Sequence, residues 1–121
     1  MLAEVAHRHV VLTIPRLLRP LFRRRRDLLT DLGRAAAEAI SELVRRGLGD
    51  DARPGIVVSI ATAGDLVQWH PHLHLLTTDG GKTGDGSWEA LPVWDAPLLM
   101  RLFRERLLAR LVEPTPSRPS S

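Results

Sequence analysis

The 121-residue chain has no cysteine and no tyrosine. The first absence excludes disulfide scaffolds, thiolate zinc sites and thiol nucleophiles. The second removes every phenolic nucleophile. Lysine is almost missing as well: Lys82 stands alone among 17 basic residues, so the positive charge is arginine, a planar and always-charged donor suited to phosphate. No apolar run approaches the roughly 18 residues that cross a bilayer. The start, Met1-Leu2-Ala3-Glu4, lacks the basic residues and apolar stretch of a signal peptide. A cytoplasmic chain with no membrane segment is therefore expected.

What is present is the balance of one soluble domain, 44% hydrophobic and 26% charged. At this size folding buries roughly two thirds of the unfolded surface, enough for a core without staples. The net charge of +3 hides an uneven distribution. Residues 1–49 carry ten arginines against five acids, residues 50–95 two basic residues against seven acids, and residues 96–121 five arginines against two acids. Both ends suit a polyanion and the middle suits a cation.

The β-branched run from His9 to Ile14, closed by Pro15, reads as a buried strand. Leu28, Leu29, Leu32, Ala35, Ala36, Ala39, Ile40, Leu43 and Val44 recur at three or four residues, which predicts a helix stopping at Gly47 and Gly49. Ile56 to Thr62 and His72 to Thr78 read as two further strands, neighbours in a hairpin, with a turn-rich stretch from Asp79 to Ser87. Asp95 as N-cap and Pro97 in the first turn open a last helix, whose apolar arc is interrupted by Arg106 and Arg110. The Pro/Ser-rich residues 113–121 are expected to be disordered, leaving residues 1–112 as the folded domain.

Three of the five histidines fall in His70-Pro71-His72-Leu73-His74. Strand alternation sends His72 and His74 to one face and Leu73 and Leu75 to the other, into a core. Two converging imidazoles supply nitrogen ligands for a divalent ion, and Asp65 is the best-placed third ligand, ahead of Gln68 and His70. Strand histidines also occur as plain hydrogen-bonded packing. The acidic middle segment and the Trp69-His70-Pro71 lead-in set this pair apart.

The run VVLTIP (Val10 to Pro15), then Arg16-Leu17-Leu18-Arg19-Pro20, then GDLVQWHPHLH (Gly64 to His74), then Thr78-Asp79-Gly80, resembles the catalytic domain of two-tyrosine HUH transposases. These mobilise bacterial insertion sequences by a rolling-circle route. The likeness runs from residue 7 to about 112, and the eleven-residue stretch ending at His74 is far more specific than a lone His-x-His. It implies an α+β fold, an antiparallel sheet flanked by helices with the metal-binding strand near its centre. It further implies that His72 and His74 orient Mg²⁺ or Mn²⁺ against the scissile phosphate of single-stranded DNA.

Two departures qualify the resemblance. Such transposases attack DNA with a tyrosine on a helix beyond the histidines, and this chain has none. Their cysteine-rich zinc segment is also missing, so the chain reads as an incomplete, truncated catalytic domain that is cleavage-deficient. Two rival readings stand beside it. His70 to Leu76 also fits the histidine-triad pattern of nucleotide hydrolases and transferases, although Pro71 removes a ladder donor inside that strand. A non-catalytic nucleic-acid-binding module is the other.

Arg16, Arg19, Arg23, Arg24, Arg25 and Arg26 place six positive charges and no acid in eleven residues. Such a run serves either as a solvated helix face or, here directly after the first strand, as a grip on successive phosphates beside the metal site. Trp69 is either a base-stacking platform or ordinary packing.

Overall fold

Three β-branched or apolar runs become one antiparallel sheet in a computed structural model that describes residues 7–14, 16–63 and 70–112. The strands are β1 (His7–Thr13), β2 (Ile56–Ala63) and β3 (His70–Thr78), in the order β1-β3-β2. The central strand is therefore the one carrying the histidines. Helix α1 (Arg19–Arg24) follows β1 between two short 3-10 turns, α2 (Leu29–Leu48) precedes β2, and α3 (Ala96–Val112) comes last. The fold is α+β, as expected for a helix-flanked antiparallel sheet.

Register decides which face is core. Leu12 pairs with Leu73, and Val10 and Val58 both pair with Leu75. Leu12, Leu73 and Leu75 are essentially fully buried. Truncating a leucine in such a position costs about 2–5 kcal/mol, so this face fixes the register against a one-residue slip. The helices cover it: α2 packs on β2 and on α3. Ala35, Ala36 and Ala39 of α2 are fully buried, and their small side chains allow close approach. Leu99, Leu102, Phe103 and Leu107 complete the core from α3.

The opposite sheet face carries Val11, Val57, His72 and His74 and stays open among the described residues, with Val11 49% and Val57 57% exposed.

Several boundaries differ from the sequence reading. Helix α2 runs through Gly47 and ends at Gly49, whose φ of 117° favours glycine. Gly47 stays inside because Leu91 packs on it: an added Cβ would meet Leu91 Cδ1 at 2.2 Å. The stretch read as turn, Asp79 to Ser87, holds β4 (Gly80–Lys82), which forms a small hairpin with β5 (Trp88–Ala90) just beyond it. Neither three-residue strand, one with two glycines and the other Trp88-Glu89-Ala90, carries a β-branched signal. β3 begins at His70, paired with Ala63, rather than at His72. The N-cap of α3 is as read, the Leu98 amide donating to Asp95 Oδ1 at 3.0 Å. Residues 113–121 lie outside the described residues. No described helix is long and apolar enough to cross a membrane.

Candidate metal and nucleic-acid site

His72 and His74 stand on the same open face of β3, as period-2 alternation requires, about 6.6 Å apart along the strand. Both are partly buried. His72 Nδ1 is shielded from solvent and has no hydrogen-bond partner among the described residues, which leaves that ring nitrogen uncommitted. His74 Nδ1 lies 3.2 Å from Nε2 of His9 on β1. The two rings are nearly parallel at 16°, with centroids 5.3 Å apart.

Two imidazoles on one strand face fit nitrogen ligation of a divalent cation, with carboxylate or water oxygens completing the shell where the ion is Mg²⁺ or Mn²⁺. No group of three or more metal-ligating side chains comes together among the described residues. Asp65 and Gln68, two of the sequence candidates for a third ligand, lie outside the described residues, as does Trp69, and of His70 only the strand position is described.

The arginine run begins near the His72 end of the sheet. Thr13, the last residue of β1, pairs with His72, and Arg16 follows three residues later, so the Arg16 Cα lies within about 11 Å of that of Thr13. Phe22, fully buried, pins α1 to the core and leaves Arg16, Arg23, Arg24, Arg25 and Arg26 exposed, with Arg19 partly buried. The run itself holds no acid, but Asp27 follows it directly. Arg25 donates to both carboxylate oxygens of Asp27, at 3.0 and 2.8 Å. That pairing raises the Arg25 pKa and lowers that of Asp27, so part of the charge is already neutralised.

Sequence reasoning missed His9, although His7 and His9 show the same two-residue spacing as His72 and His74. It also missed a cleft of about 180 Å³ beside His9, lined among others by Arg8, Trp94 and Leu99. Arg8 sits 4.9 Å from the Trp94 ring centroid and donates to Asp79 at 3.0 Å.

Residues 55–116 match the family model described as "Putative transposase", and the chain belongs to that transposase family. It is similar to the transposase for insertion sequence element IS801 of Pseudomonas savastanoi pv. phaseolicola, 39% identical over 113 residues, 90% of this chain and 27% of that protein. It is also similar to "Putative transposase y4qJ" of Sinorhizobium fredii (strain NBRC 101917 / NGR234), 34% identical over 117 residues, 91% of this chain and 29% of that protein. The chain thus spans less than a third of the length of these curated relatives. No solved structure matches it.

Proposed function

We propose that this chain is the cation- and DNA-binding part of an insertion-sequence transposase of the two-tyrosine, rolling-circle HUH class. The observation that carries the reading is the pair His72 and His74 on the open face of the central strand, with His72 Nδ1 shielded and uncommitted. His72 and His74 hold Mn²⁺ or Mg²⁺, with Asp65 as the third ligand. When bound, the cation polarises the scissile phosphate. The remaining work falls to the chain's own residues. Arg16, Arg19, Arg23, Arg24, Arg25 and Arg26 hold the backbone of a single strand entering from the His72 end. Membership of the transposase family supports DNA as the partner.

The chain supplies no nucleophile of the required kind. A strand held covalently and later released to a 3′-hydroxyl needs a side-chain oxygen that ionises readily, and a phenol does so far more easily than the Ser and Thr hydroxyls present here. The 121-residue chain therefore binds but forms no DNA adduct.

Calorimetric titration of Mn²⁺ into the wild-type chain and into the double variant His72→Ala, His74→Ala tests the site. Binding heat is expected only for the wild type, and identical isotherms remove the proposal. Incubation with labelled single-stranded DNA and Mn²⁺ is expected to leave no protein-linked label on a denaturing gel. A band that survives boiling and vanishes in His72→Ala would show a nucleophile this reading lacks.

A further inference from the structure

We infer that His9 is a positioning residue that fixes the ring tautomer of His74 and so frees His74 Nε2 to ligate a cation. The inference rests on reading His72 and His74 as the cation's ligands. Its starting observation is the 3.2 Å approach of His9 Nε2 to His74 Nδ1.

The contact follows from the register. His9 pairs with Leu76 and Val11 pairs with His74, so His9 and His74 are diagonal neighbours on one face of an antiparallel pair. Diagonal neighbours are within reach of each other when both side chains are long or aromatic. The two rings lie nearly parallel, 16° apart. His9 is itself exposed.

A neutral imidazole has one N–H and one lone pair, so the 3.2 Å contact has two possible arrangements. In one, His9 Nε2–H donates to His74 Nδ1. His74 then carries its proton on Nε2, and neither of its nitrogens is available to a metal. In the other, His74 Nδ1–H donates to the lone pair on His9 Nε2. That places the His74 lone pair on Nε2, open to a cation, and puts the His9 proton on Nδ1. Only the second arrangement is compatible with ligation by His74. Metal-bound histidines commonly donate their other N–H to a carboxylate or carbonyl acceptor, which orients the ring and raises its basicity. Here an imidazole on the neighbouring strand takes the acceptor's place, and the edge strand β1 contributes to the site without touching the metal.

The test compares His9→Leu, which removes the acceptor, with His9→Gln, whose side-chain carbonyl replaces it. His9 is exposed in the folded chain, so neither change threatens the core. In the metal-free, ¹⁵N-labelled full chain, long-range ¹H–¹⁵N spectra are expected to show His74 protonated at Nδ1 in the wild type and His9→Gln. In His9→Leu a mixture of tautomers is expected, with the His74 signals assigned from His74→Ala. Mn²⁺ titration is expected to give binding about 10–100-fold weaker in His9→Leu and within a few-fold of wild type in His9→Gln. Wild-type affinity and an unchanged tautomer in His9→Leu would overturn the inference while leaving the two-histidine site intact. Loss of binding in both His9 variants as complete as in His74→Ala would make His9 a ligand and overturn its positioning role. An isotherm indifferent to removing His72 and His74 would remove the metal reading and this role with it.

Discussion

Arg110 on α3 forms a charged hydrogen bond with Glu38 on α2, and its other Nη lies 3.3 Å from Asp31. Arg106, one turn earlier, reaches Glu42 at 3.4 Å. The acids Asp31, Glu38 and Glu42 share a face of α2, so the two arginines interrupting the apolar arc of α3 are its answer to that row. Glu38 accordingly raises the Arg110 pKa.

These pairs are only partly screened, with Arg110 26% and Glu38 39% exposed, which predicts measurable coupling. A double-mutant cycle with Arg110→Met and Glu38→Gln, followed by urea unfolding, is expected to give an interaction of about 0.5–1 kcal/mol. Strict additivity would show that the contact contributes nothing.

Two glycines respond in opposite directions to alanine. A Cβ on Gly80 would lie 1.8 Å from the Glu89 carbonyl oxygen, so Gly80→Ala must spread the β4–β5 hairpin and is expected to cost about 1–3 kcal/mol or more. Gly33 sits inside α2, and its nearest neighbour would be Val58 Cγ1 at an ordinary 3.5 Å. Gly33→Ala is expected to stabilise by about 0.5–1 kcal/mol through helix propensity. Denaturation midpoints moving the same way in both variants would contradict the packing described.

On the proposed DNA-binding role of the arginine run, Asp27 would compete with phosphate for Arg25. Arg24→Gln is expected to flatten the dependence of log K on log salt for a single-stranded oligonucleotide by roughly 0.7. Arg25→Gln should change it less, because Asp27 already holds Arg25. Asp27→Asn should steepen it. Equal slopes in all four proteins would mean the run is only a solvated face.

Acid sensitivity follows from Asp85 at the turn of the small hairpin. The Thr83 hydroxyl and the Ser87 amide both donate to Asp85 Oδ1, holding its pKa at about 2 against an ordinary 3.8. A carboxylate whose pKa is lowered by folding stabilises above its unfolded value, and that contribution is lost as pH falls from about 3.8 towards 2. Asp85→Asn should therefore show a smaller loss of unfolding midpoint than wild type over that window. NMR titration placing the Asp85 carboxyl at the ordinary value would rule out this coupling.

Much of the architecture was legible because it is local. Period-2 alternation places Leu73 and Leu75 in the core and His72 and His74 opposite, because successive side chains of any extended chain point to opposite faces. The apolar spacing from Leu32 to Val44 specifies the buried face of α2, and Asp95 marks the start of α3. Other features had no local signature. The β4–β5 hairpin pairs a strand of two glycines and a lysine with another of only three residues, and Gly47 reads as a stop until Leu91 is seen packed on it.

By itself the sequence determined the three strands of the main sheet, the principal helix and the placing of His72 with His74 on one face, since these follow from covalent geometry over a few residues. Only the tertiary structure decided that His9 meets His74 across 65 residues of chain, and that Arg106 and Arg110 face the acids of α2. Those contacts depend on strand register and helix docking. The register is set by how buried Leu12 fits against Leu73 and half-buried Val10 against Leu75, and the helices dock on the core those side chains form.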